Sequence, residues 1–233
     1  VEIEYFIALS DLGLSQFPSV SEMERKNLRA IYLDFSEKEA ARIKEIERVT
    51  NHDVKAVEYF IKEELKGTEL EEYQEFVHFG LTSQDINNTA IPFSLKQGLD
   101  DVIIPEYQKI IQQLTHFAKQ WQTIPLLSRT HGQAATPTTV GKEFDVFAKR
   151  LSIQLETLKN TPISAKFGGA TGAYNAHRLA FPQINWPQFG DKLVENLGLI
   201  RSYPTTQIDH YDQLAAVFDC LRRIDVILMD FAK

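Results

Sequence analysis

"VGKEFDVFAKRLSIQLETL", residues 140–158, spaces Val140, Phe144, Phe147, Leu151, Leu155 and Leu158 three or four residues apart. That spacing is one face of an α-helix. Two other segments repeat it. Residues 103–121 carry Ile103, Tyr107, Ile110, Leu114, Phe117 and Trp121 on one stripe. Residues 213–231 carry Leu214, Val217, Leu221, Ile224, Leu228 and Phe231. Each segment runs for about 19 residues, or roughly 28 Å of helix. Strand alternation is scarce elsewhere. The pattern predicts an all-α protein in which these three helices run together as a long bundle.

Helix signals extend outward from this frame. Ser36 and Glu39 stand at capping-box spacing. Val54, Val57, Ile61 and Leu65 share a face, and Gly67 follows as a stop. Pro92 predicts a kink or break in a helix over 83–98. Pro105 suits the first turn of the helix that follows it. No internal repeat or low-complexity tract is present.

The chain has 233 residues, 43% hydrophobic and 24% charged, with a net charge of −7. This is globular composition with room for a sizeable core. The negative balance argues against a nucleic-acid partner. No apolar run approaches a membrane span, and "VEIEYFIALS" has no basic leader region. One cysteine, Cys220, precludes an intrachain disulfide and fits a reducing, cytoplasmic setting. The sequence begins without Met and stops within a helical pattern, so it reads as part of a longer chain.

Polar residues concentrate at the predicted helix ends: "TNHD" at 50–53, "HFGLTSQD" at 78–85, "SRTHGQAATP" at 128–137 and "TTQID" at 205–209. Helix N-termini present free N–H groups to anions. Thr82 with Ser83, and Asn51 with Asp53, are expected to open helices. Each such residue alone also suits plain capping, as do Thr50, Thr138 and Thr139. His52 and His78 suit packed helix ends. His116 and His210 read as surface or structural, and His177 stays undecided. His131 differs because Gly132 follows it and permits φ > 0 or close approach of a ligand. No HExxH, CxxC or i,i+4 His pair occurs, so no metal is assigned. "KFGGATGAYNAH" is glycine-rich but lacks the Lys-Ser/Thr ending of a P-loop.

Five stretches together carry a family resemblance: "TNHDVKAVEYF", "FVHFGLTSQDINN", "LLSRTHGQAATPTTVGKE", "GGATGAYNAH" and "YPTTQID". In order and spacing they resemble the adenylosuccinate lyases of the fumarase/aspartase superfamily, in their longer bacterial form. The resemblance covers residue 35 onward, with residues 1–34 matching loosely. It implies a fumarase/aspartase-like bundle. An N-terminal helical domain would span 1–81 and a central bundle domain 82–233, both partial. It implies a homotetramer whose active sites draw on three subunits. The reaction it implies is β-elimination of fumarate from adenylosuccinate and from the succinyl-carboxamide ribotide of purine synthesis (SAICAR), without metal or organic cofactor.

By the same resemblance His131 is the acid that protonates the leaving nitrogen, a task suited to a pKa near neutrality. Thr130 helps hold a carboxylate. Asn51, His52, Asp53, Thr82, Ser83 and Gln207 contact substrate, and His78, Asp85 and Lys142 are candidates for lining the site. Ala134 departs from the proline common in relatives. The family's "DGRY"-like phosphate stretch has no counterpart before Val1. Its catalytic serine loop is expected beyond Lys233. Three other readings stay open: a sister lyase such as argininosuccinate lyase or fumarase, a non-catalytic helical scaffold, and an inactive fragment.

Overall fold

The computed structural model describes residues 1–233. Ten α-helices carry the chain: α1 (Glu2–Ser10), α2 (Glu22–Leu33), α3 (Glu37–Thr50), α4 (Asp53–Leu65), α5 (Ser83–Gly98), α6 (Ile104–Gln120), α7 (Val140–Asn160), α8 (Asn175–Ala180), α9 (Trp186–Asn196) and α10 (Asp212–Phe231). Four short strands make two two-stranded sheets: β1 (Pro125–Thr130) with β2 (Gln133–Thr139), and β3 (Ser164–Ala165) with β4 (Ile200–Arg201). None of the helices is long and apolar enough to cross a membrane.

The chain forms two compact units. One comprises Val1–Phe93 and Ser164–His210; the other comprises Ser94–Ile163 and Tyr211–Lys233. The cut expected at 81/82 does not coincide with this division, because α5 as far as Phe93 belongs with the N-terminal helices.

In the second unit the three expected helices appear, as α6, α7 and α10. They pack around Leu114, Leu151, Leu155, Val217, Cys220 and Ile224. Pro105 lies in the first turn of α6, as expected. At the start of α7, Gly141 allows a close approach to α6. A Cβ there would lie 2.2 Å from the Ala118 carbonyl oxygen on α6.

Between α6 and α7 the chain departs from expectation. Residues 125–139 form an antiparallel hairpin, in which Thr130 pairs with Gln133. The two turn residues, His131 at φ 51° and Gly132 at φ 75°, both take positive φ. Two-residue turns of that kind match the right-handed twist of paired strands, and glycine adopts them without steric cost. Thr139 ends the hairpin and caps α7, its Oγ1 accepting from the Lys142 N–H.

In the first unit, α1 and α9 bury Tyr5, Phe6, Trp186 and Val194, and Phe17 stacks on Phe76 with ring centres 4.6 Å apart. The Ser36–Glu39 capping box opens α3, and Gly67 at φ 74° follows α4, both as expected. A second capping box, Ser21–Glu24, opens α2. Of the kink or break expected at Pro92, a break does not occur: α5 runs through it, and a short π-helix over Leu99–Ile103 joins α5 to α6. A helical proline leaves the carbonyl four residues earlier without its intrahelical donor. Here that carbonyl belongs to Asn88, and the Lys166 N–H fills it at 3.2 Å.

Candidate functional site

The "TNHD" stretch sits between two helices. Asn51 closes α3 in the left-handed conformation, at φ 55° and ψ 32°. His52, not Asn51, is the N-cap of α4: its Nδ1 accepts from the Lys55 N–H at 3.3 Å. A ring nitrogen that accepts carries no proton, so the proton resides on Nε2. His52 Nε2 lies 3.1 Å from Ser83 Oγ at the start of α5. The Ser83 hydroxyl thus accepts from His52 and keeps its own proton to donate. Beside it, Asn87 Nδ2 donates to Asp53 Oδ2 at 3.3 Å, and the Val54 N–H leads the contacts that hold the Asp53 carboxyl below its usual range. These two contacts clamp the start of α4 to the start of α5. The half-buried Thr82 and Ser83 occupy the open end of that clamp.

His78 lies behind this surface. Its Nδ1 is 2.6 Å from Oε1 of Glu2, which is 3% exposed. Burial alone pushes the imidazole pKa down, but the hydrogen bond and charge of Glu2 outweigh it and move the pKa up. Burial likewise raises Glu2. The pair therefore holds its proton tightly. Asp85 is fully buried and faces inward, with Oδ2 accepting from the Thr82 N–H at 2.8 Å.

Gln207 is exposed on the segment after β4. That segment is fixed to α5 by the Asp209 N–H, which donates to Asn88 Oδ1 at 2.9 Å. Asn51, His52, Asp53, Thr82, Ser83 and Gln207 thus all belong to the first unit. Thr130, His131 and Lys142 belong to the second, on the hairpin and the start of α7, and all three are exposed. Among the other histidines, His116 and His210 are exposed, while His177 is completely buried. Sequence reasoning missed the partners behind the site, Glu2, Asn88 and Lys166. Each lies far along the chain from the residue it holds, so no local spacing announces it.

These groups mix donors with the one carboxylate of Asp53. Hydroxyls, an imidazole N–H and a helix N-terminus all donate hydrogen bonds, and no metal-binding group of acidic, histidine or cysteine side chains accompanies them.

A family model described as lyase matches residues 7–233. Curated adenylosuccinate lyases are similar over the whole chain, including residues 1–34: 53% identical in Dictyostelium discoideum and 49% in Escherichia coli strain K12. The chain spans about half the length of these curated relatives, 52% of each. Among solved structures, a fumarate lyase from Mesorhizobium sp. BNC1 superposes with a TM-score of 0.76 at 20% identity, over 99% of this chain and 52% of that one. A 3-carboxy-cis,cis-muconate lactonizing enzyme from Pseudomonas putida does so with a TM-score of 0.73 at 21% identity, over 99% and 50%. At such identities the two structures speak for the helical fold alone. With the family model matching from residue 7 through residue 233, the chain belongs to the lyase family.

Proposed function

We propose that the protein carrying this chain is an adenylosuccinate lyase. It cleaves the C–N bond of adenylosuccinate by β-elimination, giving AMP and fumarate, and acts likewise on SAICAR in purine biosynthesis. The observation that carries this reading is 53% identity to a curated adenylosuccinate lyase along the whole chain.

In the proposed reaction a base takes the proton next to a substrate carboxylate. The electron pair forms the new C=C bond as the C–N bond breaks, and His131 gives a proton to the departing nitrogen. His131 stands at an exposed turn, where it is open to a ligand. Ser83, Thr82 and Thr130 donate to substrate oxygens, and fixed donors of this kind stabilise charge that develops on a carboxylate. Asn51, His52, Asp53 and Gln207 complete the substrate contacts. The base is sought in the part of the relatives' length that this chain does not span.

We also propose a cytoplasmic homotetramer with shared sites. One observation supports the assembly. On α7 and α10, Ile153, Phe218, Val226 and Met229 are 51%, 54%, 54% and 63% exposed, an apolar surface that a neighbouring subunit would cover. The test is to purify the full-length protein and follow fumarate release from adenylosuccinate, with argininosuccinate and malate in parallel. No turnover of adenylosuccinate, or faster turnover of another substrate, defeats the reading.

A further inference from the structure

The glycine-rich stretch "KFGGATG", residues 166–172, supplies no substrate contact in the proposed reaction. Its first residue, Lys166, is fully buried against Asp85, also fully buried, with Nζ 2.7 Å from Oδ1. Four donors converge on that one carboxylate. Oδ1 accepts from Lys166 Nζ and from the Gly168 and Gly169 N–H groups at 2.8 and 3.1 Å. Oδ2 accepts from the Thr82 N–H at 2.8 Å and shares the Gly169 N–H at 3.1 Å.

Lys166 is tied in turn by its other polar groups. Nζ donates to the Gly169 carbonyl at 2.6 Å, and the Lys166 carbonyl accepts from Thr89 Oγ1 at 3.2 Å. The loop then runs hard against the segment carrying Gln207. A Cβ on Gly172 would lie 2.3 Å from the Thr205 carbonyl oxygen.

Burying two charges is costly, and an apolar pair of the same volume often stabilises a core as well or better. Stability alone is therefore a poor account of this pair. Its geometry offers a better one, because a single carboxylate joins the turn at Thr82 to the loop that backs Thr205–Gln207. We propose that Lys166 and Asp85 are positioning residues for substrate binding: they set the Thr82–Ser83 turn and the glycine loop in one fixed relation. This rests on the reading that Thr82, Ser83 and Gln207 contact substrate.

The test uses the full-length protein and three variants: Lys166→Met, Lys166→Gln and the neutral pair Asp85→Asn/Lys166→Met. An amide has one acceptor oxygen, so in the neutral pair either Thr82 or the loop loses its acceptor. Lys166→Met should melt lowest, since it strands the Asp85 charge. The neutral pair should regain much of the melting temperature. Its KM for adenylosuccinate should nonetheless stay raised on the order of tenfold, the worth of a hydrogen bond to a charged group, with kcat little changed. Hydrogen exchange at the Thr82 and Ser83 amides, which needs no activity, should quicken in every folded variant. Recovery of both melting temperature and KM in the neutral pair overturns the proposal, since the pair would then only stabilise. Unchanged amide exchange at residues 82–83 overturns it, and so does failure of all three variants to fold. Absence of fumarate release from the unaltered protein instead defeats the functional reading, and the exchange result still decides whether the pair sets the turn.

Discussion

The Tyr5 hydroxyl lies 2.9 Å from Nε2 of His177 and 2.6 Å from the Phe79 carbonyl oxygen. Only the hydroxyl can donate to the carbonyl, so it accepts from His177, whose proton therefore sits on Nε2. His177 Nδ1 is left buried with no hydrogen-bond partner. Burial pushes this imidazole from an ordinary pKa of 6.5 down to about 4, with Asp85 and Phe79 offsetting only part of the effect.

A pH dependence follows. The folded pKa is depressed, so between about 6.5 and about 4 the unfolded chain takes up the proton first. Stability is intact above that window and falls as pH drops through it, by up to about 3 kcal/mol from this group. Urea unfolding of the full-length protein at several pH values reads the slope. His177→Gln should flatten it, and an unchanged slope in that variant rejects the assignment.

Gly141→Ala should destabilise the bundle. The added Cβ meets the Ala118 carbonyl oxygen at 2.2 Å and the Gln122 backbone nitrogen at 2.6 Å, and backbone has little room to yield. Overpacking of this kind costs about 1–3 kcal/mol. The denaturation midpoint should fall accordingly; one equal to wild type would mean that α6 and α7 separate freely.

The site histidines should divide their labour. In the full-length protein His131→Ala should lower kcat by roughly 10²–10⁴, the usual worth of a general acid. His52→Ala should act mainly on KM, because it removes the donor that orients Ser83 Oγ. His78→Ala should cost stability or KM through the stranded Glu2 carboxylate. Steady-state kinetics on the three variants would contradict this division if the losses were equal.

Subunit mixing tests the shared site. Inactive His131→Ala and Ser83→Ala proteins should regain some activity after exchange, because a hybrid of the proposed tetramer can hold a site with neither defect. Exchange verified by mass spectrometry without recovered turnover would favour a site inside one subunit.

Much of this was legible in the sequence, for a physical reason. α6, α7 and α10 each bury one stripe, and a buried stripe writes a period of three to four residues into the chain. The hairpin of residues 125–139 stayed hidden for the converse reason. Its strands are largely exposed on both faces, so nothing imposes alternation. Thr82, Ser83 and His52 were legible as a cluster at helix ends, but the bond joining His52 to Ser83 was not. Lys166 gave no local sign at all, since its partner lies 81 residues away. That α5 continues through Pro92 was not legible, because the donor that compensates for it, the Lys166 N–H, comes from far along the chain.

That compensation bears on how the first unit assembles. The chain leaves the unit after Phe93 and returns at Ser164, so the Asn88 carbonyl is filled only after a long excursion. Such a contact adds loop-closure entropy to the barrier and forms slowly compared with local turns. Folding of the excursion into an α6–α7 hairpin shortens the effective loop and makes the return cheaper. The Lys166 amide should therefore be among the last in the unit to gain protection from exchange during refolding, well after the amides of α3 and α4.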